Sequence, residues 1–246
     1  VNEAEWLAAV DPQPMLDFLT QNDNDPRLRL FACACVRRIW HLLPDDRCKA
    51  AVEAAERDPG AKAYPPAVRA SVLGVLPGVR LTQVPGQDQP GEWAQGARMM
   101  ATTAAFAVLH QGPMLGFASG ARWAAAGAST SAAGAVTSAA RAAGSAGERE
   151  TKAERAAQSR LLRDIVFNPF SLPPAVEAAW LAHNGGAVPK LARAIRDERA
   201  YDRLPLLADA LEDAGCSDVD LLGHCRSGAE HALGCWAVEM LRGRGE

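Results

Sequence analysis

The sequence predicts an all-α protein, a multi-helix orthogonal bundle of helical hairpins with a variable Ala-rich helical insert. Three observations predict it. Aromatic residues make up 6% of the 246 positions and Tyr occurs twice, while Ala, Leu, Arg and Glu fill the stretches between Gly and Pro, a composition that favours helix over strand. Apolar side chains recur one helical turn apart, as in Val188, Leu191, Ala192, Ile195 and in Leu204, Leu207, Ala208, Leu211, the spacing of an amphipathic helix. These stripes are bounded by helix starts such as Asp11-Pro12 and Asp25-Pro26 and by stops such as Asn184-Gly185-Gly186 and Gly215.

Taken in order, Glu3 to Val10 predicts a short helix with Trp6, Leu7 and Val10 on one side. After Asp11-Pro12, Met15, Leu16, Phe18 and Leu19 form a second stripe. Asp25-Pro26 opens the strongest helix of this half, with Leu28, Phe31, Cys35, Ile39 and Leu42 near helical spacing. Arg37 and Arg38 fall where cations oppose the helix dipole at its C-terminus, a commoner role than phosphate contact. A fourth helix runs from Asp45 to Arg57 with Cys48, Ala51, Val52 and Ala55 inward.

Asp58-Pro59-Gly60 opens a segment punctuated by Pro65-Pro66, Pro77-Gly78, Pro85-Gly86 and Pro90-Gly91, with a short helix placed at Ala67 to Val75. Residues 99–121 then carry no formal charge over 23 positions, and Gly112, Gly116 and Gly120 repeat at the interval of close membrane-helix contacts. His110, Gln111 and Gly112-Pro113 near the centre, with little transfer energy from Ala, Ser and Thr, favour two closely packed Ala-rich helices over a membrane span. Residues 124–147 are low in complexity and rich in Gly and Ser, which marks them as a linker, a frayed helix or an arm rather than core.

Ordered helix resumes near Glu148, where Ser145 with Glu148 and Thr151 with Glu154 fit the capping-box spacing. It ends at Asn168-Pro169, because proline disfavours helix at the residue before it. Val176, Trp180 and Leu181 start another helix, and Asp202 is placed to cap the one carrying Leu204 to Leu211. Ser217, with Asp220 three residues on, starts the helix of Leu221, Leu222 and Cys225. The closing run from Gly234 to Leu241 reads as helix among helical neighbours.

Three stretches, EAEWLAAVDPQPMLDFLTQNDNDPRLRLFACACVRRIW, WLAHNGGAVPKLARAIRDERAYDRLPLLADALEDAGC and HCRSGAEHALGCWAVEMLRG, together resemble an expanded family of uncharacterised proteins from planctomycete bacteria. The resemblance covers both ends of the chain, and the middle departs from it as a family's variable segment would. It implies relatives without implying an activity, a cofactor or a site residue. LPLLADALEDAG also resembles the LADWLEE-type segment of short repeat-companion domains from the same bacteria.

The chain is long enough for one large or two small domains, and 48% hydrophobic content permits a sizeable core. Three parts are expected: an N-terminal helical part at 1–58, a variable insert at 59–147, and a C-terminal helical part at 148–246 packing with the first. Residues 1–60 carry eleven acids and seven bases, 61–147 two and six, and 148–246 sixteen and thirteen. The net charge of −3 argues against a nucleic-acid or anionic-membrane partner. No export signal precedes the first amphipathic stretch, and six cysteines are too sparse for a secreted disulfide scaffold, so a cytoplasmic location is expected.

One group of residues has metal chemistry. Cys216, His224, Cys225, His231 and Cys235 place five soft or borderline donors within twenty residues, although their spacing forms no pair of close knuckles and no acidic cluster accompanies them. Buried thiols are the commoner use of such cysteines. Cys33 and Cys35 point to different sides of one helix and make neither a redox pair nor a chelate. No nucleophile elbow, phosphate loop or metalloprotease motif occurs. Asp197, Glu198, Asp202 and Asp209 read as a solvated helix face, and His183 as a helix-terminal residue rather than a general base.

The sequence therefore assigns no catalytic, cofactor-binding or metal residue and no cofactor. Its leading expectation is a bacterial, non-enzymatic helical module that meets another protein through helix grooves and the Ala-rich arm. The alternative is a metal-stabilised or metal-sensing protein built on the C-terminal Cys and His cluster, and a third reading is an enzyme with an unfamiliar helical site.

Overall fold

The structure, a computed structural model, describes residues 1–19, 25–61, 64, 67, 90–109 and 121–243. Among the described residues there are eleven α-helices, two 3-10 turns and no strand. The helices are α1 (Glu3–Ala8), α2 (Pro12–Phe18), α3 (Pro26–Arg38), α4 (Asp46–Arg57), α5 (Pro90–Leu109), α6 (Ala121–Ala142), α7 (Glu148–Ile165), α8 (Ala178–Glu198), α9 (Leu204–Asp213), α10 (Val219–Arg226) and α11 (Trp236–Leu241). The all-helical bundle expected from composition and periodicity is what the chain forms. The short helix placed at Ala67 to Val75 lies outside the described residues apart from Ala67.

The chain divides into two compact units, Val1–Leu162 and Arg163–Glu246. The boundary between them falls inside α7, and the Ala-rich helices lie in the same unit as the N-terminal ones. In the first unit, the side chains of Asn2, Asp11, Asp25 and Asp45 each accept a backbone N–H at the start of α1 to α4, satisfying donors that a helix start leaves open. Trp6 is buried, but Leu7 and Val10 are exposed: the helix expected to reach Val10 ends at Ala8, which leaves Val10 outside it, and Leu7 lies on the side of α1 away from the core. Met15 and Leu16 from α2 and Leu28, Phe31 and Cys35 from α3 complete this core.

Helices α5 and α6 pack against each other, α6 also packs on α3 and α2, and α5 on α4 and α3. The expectation that residues 124–147 make poor core is corrected here. Ala124, Ala125, Ala128, Ala132, Ala133 and Ala135 are all buried, since small side chains let helix axes approach closely and bury backbone as well as methyl groups. Two hydroxyls of this stretch have acceptors: Thr137 donates to the Ala133 carbonyl at 2.8 Å and Ser129 to Gln158 at 2.7 Å. No helix among the described residues is long and apolar enough to cross a membrane, and residues 110–120 of the uncharged run lie outside them.

Charged groups tie the rest of this unit together. Arg37 pairs with the buried Glu56 at 2.7 Å and lies over the Trp40 ring at 3.9 Å, while Arg38 grips the buried Glu154 of α7 through Nε at 3.0 Å to both carboxylate oxygens. Both stand in the last turn of α3, as expected of helix-end cations. They also neutralise two buried acids.

In the second unit Trp180, Val188, Ala192, Ile195, Leu204, Leu207, Leu211, Leu221, Val238 and Leu241 form one core with Cys216, Cys225 and Cys235. Within α8, His183, Asn184, Gly185 and Gly186 leave helical geometry, with φ of 48°, 64° and 80° at the last three, so the predicted stop divides α8 into two helical pieces. Two expected caps are displaced. Asp202 lies inside a 3-10 turn at Tyr201–Arg203, which leaves Arg203 before α9 without a side-chain cap bond, and Asp218 rather than Ser217 caps α10, accepting the Leu221 N–H at 2.8 Å. The closing run is helix from Trp236 to Leu241.

Candidate metal centre

Three parts of the second unit meet at one point. The last turn of α7 supplies Asp164, the last turn of α10 supplies His224, and the irregular segment leading into α11 supplies His231 and Cys235. Asp164 lies on the apolar face of α7 because Leu161 and Ile165, three residues before and one after it, share that face and are buried. One donor atom from each of the four residues lies within 4.8 Å of all the others. His231 Nδ1 is 2.6 Å and His224 Nε2 is 3.3 Å from Asp164 Oδ1, and His224 Nε2 is 3.2 Å and His231 Nδ1 3.9 Å from Cys235 Sγ.

A tetrahedron of nitrogen, oxygen and sulfur around zinc has edges of about 3.3 to 3.6 Å, given bond lengths of roughly 2.0 to 2.3 Å. The His224 to Asp164 edge already matches, the His224 to sulfur edge is slightly short, the His231 to sulfur edge is slightly long, and the His231 to Asp164 edge is that of a hydrogen bond. Replacing the shared proton by a cation would open that last edge. The second oxygen of Asp164 is fixed by the Ala232 backbone N–H at 2.9 Å, so the carboxylate presents its first oxygen to the cluster. Such outer contacts hold a ligand in orientation before any ion arrives.

The cluster is nearly sealed from solvent, with side-chain exposures of 3% for Asp164, 5% for His231 and 17% for His224, and Cys235 buried. Its walls are aromatic: the Trp236 ring lies 4.6 Å from His224 and 4.7 Å from Phe167. Burial alone would raise the Asp164 carboxyl, but hydrogen bonds from His224 and His231 overcome it and hold the group below its ordinary value. Burial first, then the Asp164 carboxylate, pushes the Cys235 thiol well above its own. A divalent cation at the centre reverses the balance for sulfur, since a coordinating thiol is deprotonated.

Of the five donors noted in the sequence, the structure brings together His224, His231 and Cys235. Cys216 and Cys225 belong to the apolar core instead, and burial pushes the Cys225 thiol up to about 12. The expectation that no acid joins the group is corrected by Asp164, sixty residues before His224. Asp197, Glu198 and Asp209 pair with Arg196, Arg203 and Arg226, the solvated-face pattern, and His183 sits exposed at the α8 kink. In the first unit, a cavity of about 540 Å³ has His41 and Arg98 as its only titratable lining residues beside Leu42, Leu43, Pro44 and three alanines besides Ala94.

No family model, no curated protein and no solved structure matches the chain. What defines it is its own geometry: the described residues are all-helical, and the C-terminal unit gathers four side chains of metal-ligand type at one buried point.

Proposed function

We propose that residues 163–246 form a metal-stabilised helical module in which Asp164, His224, His231 and Cys235 hold a structural zinc ion. The observation that carries this reading is the convergence of four donor atoms within 4.8 Å from chain positions as far apart as Asp164 and Cys235. One thiolate, two imidazoles and one carboxylate suit zinc better than magnesium or calcium, which take oxygen donors. Charge supports it too: a thiolate and a carboxylate neutralise a divalent cation, which a sealed, aromatic-walled site requires. Four protein donors fill a tetrahedron and leave no position for substrate, so the role is to hold the fold rather than to catalyse. Six cysteines that are all unpaired and buried suit a reducing compartment, in keeping with a cytoplasmic protein.

Elemental analysis of protein purified without chelator tests this. One zinc per chain is expected, absent from His231→Ala and Cys235→Ser, with a lower Tm after chelation. Metal-free protein whose Tm is indifferent to both added zinc and chelator would overturn it.

A second reading concerns what the module is for. Leu172, Val219 and Leu206 expose 92%, 80% and 56% of their surface in this unit, and large apolar side chains left in solvent favour contact with another protein. Leu206→Glu together with Val219→Glu should abolish binding to a partner isolated with the parent chain while leaving zinc content unchanged. Retained binding would remove this reading and leave the metal centre standing.

A further inference from the structure

The cavity of about 540 Å³ in the first unit falls within the size range of small-molecule sites, roughly 300–1,000 Å³. Three elements wall it. The 3-10 turn Trp40–Leu42 that follows α3 supplies His41 and Leu42, with Leu43 just after it. Helix α5 supplies Ala94, Ala97 and Arg98, which their spacing of three and four residues puts on one face, and the last turn of α6 supplies Ala139 and Ala142. Alanines on these two packed helices leave the space open. Leu42, Ala94, Ala139 and Ala142 are only half-buried, so a surface of methyl groups stays within reach of water.

No acid lines this cavity among the described residues. Its titratable side chains, His41 and Arg98, are exposed, and neither is paired with a carboxylate among the described residues. The acids that follow this wall in the chain are already committed, Asp45 to Arg47 at 2.8 Å and Asp46 to Lys49 at 2.9 Å. A guanidinium offers a fork of N–H donors that matches a carboxylate or a phosphate. The rest of the wall is aliphatic. We propose that the cavity is a binding site for a small aliphatic anion, an alkyl carboxylate or alkyl phosphate of medium chain length, whose head meets Arg98 and His41 while its chain covers the leucine and alanine methyls.

Titration calorimetry of the full chain tests this with decanoate, decyl phosphate and decanol, probes of equal chain length. One anion per chain is expected, and the tighter of the two identifies the head group. Decanol should bind about 10- to 100-fold more weakly, the range that hydrogen bonds to a charged group contribute. Arg98→Gln, at an exposed position that the fold does not depend on, should weaken the anion by the same factor and leave decanol unchanged. Ala139→Leu, which fills the cavity, should weaken all three probes, and Arg98→Gln still decides if that variant does not fold. Failure of both anions to bind the parent, or decanol bound as tightly as they are, would overturn the site. Anion binding indifferent to Arg98→Gln would overturn it too. The zinc reading stands or falls separately, since no donor of the metal centre lines this cavity.

Discussion

Asp164 and His231, sixty-seven residues apart in the chain, are joined at 2.6 Å through Oδ1 and Nδ1, and the residue after the histidine returns a backbone N–H to the other carboxylate oxygen at 2.9 Å. This two-point contact ties the end of α7 to the irregular segment that precedes α11. The segment has little else regular to hold it, because residues 227–235 include no helix.

Asp164→Ala should therefore destabilise the second unit even in the absence of metal. It leaves the Ala232 N–H and the His231 ring without their acceptor in a buried site, for which a loss of about 3 kcal/mol is expected. Asp164→Asn retains an oxygen for Ala232 and should lose less, while both variants lose zinc. Urea unfolding of the chelated proteins, followed by zinc titration, checks the order. Equal stability of parent and Asp164→Ala would show that the contact contributes nothing to folding.

The helices and the centre differed in how far the sequence announced them. The stripes of Leu204, Leu207, Ala208 and Leu211, and the stop at Asn184 to Gly186, are local patterns, and all four apolar residues are buried as expected. His224, His231 and Cys235 were visible as donors because they cluster in sequence. Asp164 was not, since its partners lie sixty or more positions away and only tertiary folding brings them together. Its signal was an acid on the apolar face of LLRDIV, a placement that burial makes costly unless a partner waits. The Ala-rich helices were misread for a related reason: alanine scores little as a hydrophobe, yet Ala128 and Ala132 pack fully where axes come close.

The cysteines outside the centre should be chemically silent. Cys225 is buried, and burial moves its thiol to about 12, so at pH 8 only about one molecule in 10⁴ carries the reactive thiolate. Iodoacetamide applied to the native chain should leave Cys225 unmodified by mass spectrometry, and modification should appear only in urea. Rapid labelling of Cys225 in the folded protein would show that its pocket opens far more often than a core position does.

In the first unit, Arg38 and Glu154 join α3 to α7 over 116 positions of sequence, and Gln158 donates a further hydrogen bond to Glu154 at 3.0 Å. Either Arg38→Ala or Glu154→Ala leaves a charge without its partner beside the core, at a cost of about 3 kcal/mol. The double variant should cost clearly less than the two single losses combined, because it strands neither charge. A double-mutant cycle in urea measures the coupling, and strictly additive losses would show that the two groups do not depend on each other.

Two glycines at the start of α7 allow backbone strain to be separated from crowding. Gly144 and Gly147 have φ of 85° and 81°, a region that side chains with a Cβ rarely adopt. A Cβ at Gly144 would meet nothing within 4 Å, whereas at Gly147 it would lie 2.9 Å from the Thr137 carbonyl oxygen and 3.0 Å from its methyl group. Gly144→Ala should therefore cost about 1 kcal/mol, the strain of the conformation alone. Gly147→Ala adds a collision with backbone that can relax only by moving α6 from α7, and a loss of about 3 kcal/mol is expected. Thermal unfolding of the two variants compares them directly. Equal losses would mean that the α6 backbone at Thr137 yields freely, and that the approach of these two helices at Gly147 is not a constraint on the fold.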